Sequence, residues 1–259
     1  MLYFLSGLVI IFLVFYDVYH SIVLPRPSSR NFRIAPILIG RIAWLPYRRM
    51  ALKIRNLETR EDVLGNFAVI MFLLLMLTWL TLLIIGYGMI FWSLRDDMRP
   101  AIYTFQEAMY FAGTSILTIG FGDVVALTAR ARVTALAAGA SGLALLGMGF
   151  SAVFNLQNFL YGREVPLAMI HSRMQGNVSG LELLLEHARN RTLDYLRADI
   201  RDWEKWLAYV METHRDFPLM CYFRSTGRGD SWITCLGSML DACNLMTTTV
   251  VAHDFGECI

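Results

Sequence analysis

Residues 67–92 and 133–161 contain no charged side chain, and these two runs decide which solvent the chain must fold in. A helix over the first would extend about 39 Å at 1.5 Å per residue, enough to cross the roughly 30 Å hydrocarbon core of a bilayer with some tilt. Backbone groups in lipid have no water to bond, so spanning runs of this kind are expected to be helices. A third apolar run, residues 1–16 with 22–24 beyond it, reads as a further span despite Asp17 and His20. No basic residue precedes it and no small-x-small cleavage site follows, so it is expected to be a retained anchor and not a leader. Hydrophobic residues make up 56% of the chain and are concentrated in these runs, which indicates an all-α integral membrane protein.

Charge then sets the orientation. Residues 25–65 hold nine Arg or Lys against three acids, Glu58, Glu61 and Asp62. The positive-inside rule makes that loop cytoplasmic, so the N-terminus lies outside and the tail after Arg163 lies in the cytoplasm. Residues 93–132 then lie outside or re-enter from outside. The tail carries nine basic and thirteen acidic residues from position 164 onward, and neither it nor the loop resembles a nucleic-acid surface. Cys221, Cys235, Cys243 and Cys258 all fall in the tail, where they are expected to be reduced. Their spacing contains no Cys-x-x-Cys pair, which argues against zinc.

Between the two long runs stands Thr118-Ile119-Gly120-Phe121-Gly122-Asp123. Irregular backbone at membrane depth is tolerated only where it lines a water-filled path. A filter for a dehydrated cation needs oxygens fixed along a narrow axis, which backbone carbonyls and one threonine hydroxyl can supply. Gly120 and Gly122 permit the positive φ angles that turn successive carbonyls inward. Thr118 would add the innermost ligand, Asp123 would attract cations at the outer mouth, and K+ would bind at Thr118, Ile119, Gly120 and Phe121. Residues 101–114 are apolar but too short to span, and Pro100 stands where a helix can start, so a re-entrant helix is expected there. Its partially negative C-terminus would face the dehydrating ion.

On these residues the segment 66–161 resembles the bacterial two-transmembrane potassium channels. The resemblance implies an outer helix over 66–92, a pore helix over 101–114, the filter at 118–123 and an inner helix over 131–161. One filter run per chain implies a homotetramer with four-fold symmetry. The family's inner-helix glycine hinge corresponds to Gly142, with Gly139, Gly147 and Gly149 as companions that also suit close helix packing. Phe154 and Asn158, one turn apart, are the candidate inner gate.

Three positions depart from the usual family pattern. Phe121 replaces a tyrosine, Phe111 replaces a tryptophan, and Thr114 occupies the place of a glutamate behind the filter. Phe111 and Phe121 cannot donate a hydrogen bond, so the cuff around the filter is expected to be held by packing. The Tyr110 hydroxyl is left as the candidate to anchor Asp123.

Outside this segment, residues 1–24 are expected to form the N-terminal transmembrane helix, packed outside the pore unit. Residues 25–65 are expected to be a basic loop with an interfacial amphipathic helix over 34–52, with Trp44 and Tyr47 at headgroup depth and arginines near lipid, anionic lipid included. No voltage sensor is present, because Arg41, Arg48 and Arg49 do not repeat every third position through an apolar span. Residues 162–259 read as a helical cytoplasmic tail without a dinucleotide-binding signature. In it Leu193, Leu196, Ile200, Trp203, Leu207 and Val210 form a seam, against the tail's own later helix or between subunits. Residues 217–230 connect to a second helix near 231–251, with Ile233, Leu236, Leu240 and Met246 on one face. His171, His187, His214 and His253 are too dispersed for a metal site.

The expected function is passive, potassium-selective conduction in the inner (plasma) membrane, with no enzymatic chemistry and no cofactor beyond the permeant K+. A weakly selective cation channel, and a signalling or scaffold protein acting through its tail, are the alternatives.

Overall fold

The computed structural model describes residues 1–23, 37–173, 179–225 and 231–248, and the chain divides into two compact units, Met1–Phe154 and Asn155–Ile259. Among the described residues the protein is almost wholly helical, and three helices are long and apolar enough to cross a membrane, Leu2–Val23, Leu57–Ser93 and Ala129–Ser172.

In the first unit α1 (Leu2–Val18) continues as a π-helical turn to Val23, and Leu24 lies outside the described residues. A π-helical stretch (Ile37–Ala43) leads into α2 (Trp44–Ala51). The long α3 spans Leu57–Ser93, α4 spans Phe105–Ile116, and α5 begins at Ala129 and ends at Arg173. Two short strands, β1 (Met98–Arg99) and β2 (Val125–Ala126), pair antiparallel with Met98 opposite Ala126.

Helix α3 starts nine residues earlier than the expected 66. Asn56 caps it, its side-chain oxygen accepting from the amides of Glu58 (3.0 Å) and Thr59 (3.5 Å). Helix α4 starts at Phe105, not 101, because Thr104 and Glu107 form a reciprocal cap: Thr104 Oγ1 accepts from the Glu107 amide (3.3 Å) while Glu107 Oε2 accepts from the Tyr103 amide (2.8 Å). Helix α5 outruns the expected 131–161 at both ends. Its start is fixed by Thr128, whose hydroxyl accepts from the Ala131 amide (3.3 Å).

Helix α1 packs along α3. A Cβ added to Gly7 would lie 2.5 Å from the Gly86 carbonyl oxygen, so the two backbones touch where neither residue has a side chain. Near the other end of α1, the Trp79 indole donates to Asp17 Oδ2 (2.8 Å), with both residues buried. Asp17 is therefore part of the docking surface. The basic segment docks on α3 as well. The expected helix over 34–52 is a π-helical piece followed by α2, and residues 34–36 lie outside the described residues. Trp44 and Tyr47 hold Phe67 between them, at ring separations of 4.8 Å and 5.0 Å, and the Tyr47 hydroxyl donates to the Val63 carbonyl (2.6 Å).

The second unit contains the end of α5, then α6 (Gly180–Arg189), α7 (Leu193–Asp216), a 3-10 turn (Pro218–Tyr222) and α8 (Trp232–Thr248). Its core is Leu167 and Ile170 of α5, Leu183 of α6, Trp206 and Val210 of α7, and Cys235, Met239 and Ala242 of α8. Leu196 and Val210 of the expected seam are buried, Ile200, Trp203 and Leu207 are half-buried, and the most deeply engaged indole is Trp206. Of the expected face of α8, Met246 is buried and Leu236 half-buried, but Ile233 and Leu240 are 62% and 58% exposed, and Cys235, Met239 and Ala242 are buried in their place. Helix α6 explains this, because it crosses α8 so closely that a Cβ on Gly180 would lie 2.5 Å from the Ala242 nitrogen, and only the face with small side chains admits it. The α8 end expected at 251, His253, Cys258 and residues 226–230 lie outside the described residues.

His214 is partly buried in this unit. Its Nδ1 faces the Val210 carbonyl (2.8 Å), its ring lies 5.1 Å from that of Trp232, and Nε2 is buried without a hydrogen-bond partner. Burial, assisted by the nearby Arg163 charge, pushes its pKa below the usual histidine value. The unfolded chain then binds more protons than the folded one, so stability is complete above about pH 6.5 and declines as pH falls toward the lowered value. Melting temperature of the detergent-solubilised protein is expected to fall more steeply from about pH 8 to about pH 5 in the wild type than in His214→Phe.

Candidate functional site

The expected filter residues leave α4 in an unusual backbone. Thr118, Gly120 and Gly122 have φ of 54°, 57° and 80°. Left-handed angles are free to glycine but unfavourable for Thr118, a β-branched residue, so surrounding bonds must impose its conformation. Those bonds come from the end of α4. The Thr118 amide donates to the Ser115 carbonyl (3.1 Å), and the amides of Ile119 (2.9 Å) and Gly120 (3.3 Å) both donate to the Thr114 carbonyl. Thr114 is buried, and its hydroxyl donates to the Phe111 carbonyl (3.0 Å). It supports the run through its main chain, and no side-chain bond replaces the glutamate of the resembled family.

The two phenylalanines separate. Phe121 stacks on Tyr110, with centroids 6.4 Å apart and planes 2° from parallel. Phe111 points away from the run and meets Phe91 of α3 edge-on at 4.8 Å, so within one chain the expected cuff of Phe111 and Phe121 is instead Tyr110 with Phe121. A bulky apolar side chain at 111 is more completely desolvated against α3, and it is 8% exposed there. The Tyr110 hydroxyl lies beside the Asp123 carboxylate, and interaction with that anion raises the phenol's pKa above its ordinary value. Asp123 Oδ1 accepts from the Val124 amide (3.1 Å).

A staple closes the base of the loop, and nothing in the sequence reading anticipated it. Arg130 grips Asp97 with two nitrogens, Nε on one carboxylate oxygen and Nη2 on the other (3.0 Å). This hydrogen-bonded guanidinium holds the Asp97 carboxyl below the usual carboxylate range. The Leu127 amide donates to the Asp97 carbonyl (2.9 Å), and Arg132 Nε donates to the Ala126 carbonyl (3.1 Å). The opposite charges at 97 and 130, each beside the end of a long apolar run, were the signal available for it.

Gly142 lies where α5 meets the end of α4. A Cβ there would sit 1.9 Å from the Ile116 carbonyl oxygen, so this glycine is the contact surface between the two helices. Helix α5 is unbroken at this point. At the preceding residue, Ser141 Oγ and Tyr87 Oη are 2.7 Å apart and buried, tying α5 to α3. Phe154 is 62% exposed, and Asn158 is exposed with its carbonyl accepting from the Tyr209 hydroxyl (3.1 Å). Within a single chain residues 118–123 are all exposed, as are Val133, Leu136, Leu143, Leu146 and Phe150 along α5. Among the described residues no cluster of His, Cys, Asp or Glu could hold a metal ion. Among the described residues Cys221, Cys235 and Cys243 form no disulfide, and burial raises the pKa of Cys221 and Cys243.

Residues 70–157, about a third of the chain, match the family model described as Ion channel. With three apolar helices, that match supports an ion channel in a multi-pass membrane protein, and it points to a transporter of ions rather than an enzyme. No curated protein and no solved structure shows a match to the chain.

The Gly142 contact makes a specific prediction. Gly142→Ala is expected to destabilise the protein by about 1–3 kcal/mol through overpacking. Gly147→Ala, at a position with nothing within 4 Å of the added carbon, is expected to leave thermal stability unchanged or raised by up to about 1 kcal/mol. Differential melting of the two variants measures the contrast.

Proposed function

We propose that the chain is one subunit of a homotetrameric, potassium-selective channel, with residues 118–122 as its filter. The observation that carries this reading is the backbone of that run: positive φ at Thr118, Gly120 and Gly122, at the end of a helix too short to span. Left-handed residues set between ordinary ones turn neighbouring carbonyls toward a common side, which is what dehydrated-ion coordination requires. Carbonyls of Thr118, Ile119, Gly120 and Phe121 supply the oxygens, with the Thr118 hydroxyl innermost. A lone strand cannot surround an ion. The exposed run and the exposed apolar stripe of α5 are therefore the surfaces that three further copies cover.

In the membrane the N-terminus and Asp123 face outward and the tail faces the cytoplasm, an orientation supported by the nine basic residues of 25–65. The membrane is the plasma membrane. The lipid partners are those of its inner leaflet, whose anionic headgroups complement the exposed Arg48, Arg49, Lys53 and Arg55. Gly142 acts as the hinge of the inner helix, and Phe154 with Asn158 forms the constriction below it. The only bound species the mechanism requires is K+.

Purified protein in planar bilayers under opposed potassium and sodium gradients is expected to reverse near the potassium equilibrium potential, and Gly120→Asp is expected to abolish the current. Reversal near zero would show a weakly selective cation pore instead.

The Tyr110 to Asp123 bond gives a second test. Tyr110→Phe keeps the stack on Phe121 and removes only the hydroxyl, so the outer end of the filter loses its anchor. Current decay during a sustained step is expected to accelerate by about two- to tenfold, the worth of one hydrogen bond. Decay and selectivity identical to the wild type would show that the bond has no part in holding the filter open.

A further inference from the structure

The cytoplasmic end of α5 is gripped on its own main chain. The Tyr209 hydroxyl donates to the Asn158 carbonyl (3.1 Å), and the Trp206 indole donates to the Arg163 carbonyl (3.1 Å). The Tyr209 ring lies over Gly162, where an added Cβ would meet it at 2.4 Å. Phe159 and Phe217 face each other at 4.9 Å. The Arg163 side chain is fully buried, donating from Nη1 to the Phe223 carbonyl (3.1 Å) and from Nε to Glu164 Oε1 (2.9 Å).

These contacts surround the weakest point of the helix. Pro166 lies inside α5, where it offers no amide hydrogen and crowds the carbonyl one turn before it. Asn158, Gly162 and Arg163, before it, are held by α7, and Leu167 and Ile170, after it, join the core that Trp206 and Val210 of α7 also enter. A helix softened by proline would ordinarily dissipate a bend at that residue. Here α7 splints it, so the helix end and the tail must move together.

We infer that α7 is a clasp that keeps the end of the inner helix stiff across Pro166, with Tyr209 as the positioning residue, and that this stiffness sets how readily the inner helix opens. This rests on the channel reading above. A stiff end resists the local bending that opening requires, so loosening the clasp favours the conducting form. The tail is thereby a brake on opening, built around bonds to the main chain of the inner helix.

Two full-length variants test this. Tyr209→Phe removes one hydrogen bond. Gly162→Ala improves local helix propensity yet displaces the Tyr209 ring, so a merely structural role predicts tightening where the clasp predicts loosening. Each is reconstituted for single-channel recording and, in the same liposomes, for hydrogen exchange at residues 158–170. Open probability and exchange are both expected to rise by about two- to tenfold, with unit conductance and reversal potential unchanged. Faster exchange with unchanged open probability in both variants overturns the coupling. Unchanged exchange in both overturns the clasp itself. A wild type without potassium-selective current overturns the channel reading and the gating role with it, while exchange still reports whether α7 holds the helix.

Discussion

The contact on which the first unit turns is the one between Gly142 and the Ile116 carbonyl. Helix α4 is short and ends inside the protein, so its last carbonyls need a defined surface, and the run that follows takes its bonds from Thr114 and Ser115. Bringing the two backbones together at that point fixes where α4 stops. That in turn fixes where Thr118 begins its left-handed excursion. The staple at Asp97 and Arg130 fixes the return path, and the stack of Tyr110 on Phe121 fixes the outer end. Each of these operates within one chain, so a single copy already shapes the run.

Peripheral elements follow the same logic of close approach and buried polar pairing. Helix α1 touches α3 through facing glycines and through Asp17 bonded to Trp79. The aromatic pair of α2 encloses Phe67. Neither arrangement needs a charge to be left unanswered inside an apolar layer, which is the condition that lipid imposes.

The spans were readable because uncharged runs of that length have few alternatives, and the hexad was readable because its residue types are tied to one kind of backbone. Helix ends were less legible. The caps at Asn56 and at Thr104 with Glu107 lay in plain view, but the apolar boundary and Pro100 drew attention away from them. Ser179 with Glu182 likewise announced α6, which periodicity alone did not reveal over so short a stretch. Side-chain direction was the least legible. Phe111 turned to α3 and the face of α8 turned to its small residues, because both choices depend on what packs opposite. The staple escaped notice because a single acid and a single arginine, 33 positions apart, carry no pattern until the loop between them closes.

That closure has a consequence for how the molecule is made. The ends of residues 98–126 are tied by β1, β2 and the Asp97 to Arg130 pair, contacts that close a loop of about thirty residues. Because the entropic cost of closing a loop grows only slowly with its length, such a segment can form its ends early, before the long helices have settled against each other. The segment is then closed at its base by contacts of its own, whatever the order in which the long helices pack. Assembly of the first unit becomes a matter of seating α4 against α5 at the one place where both backbones are bare.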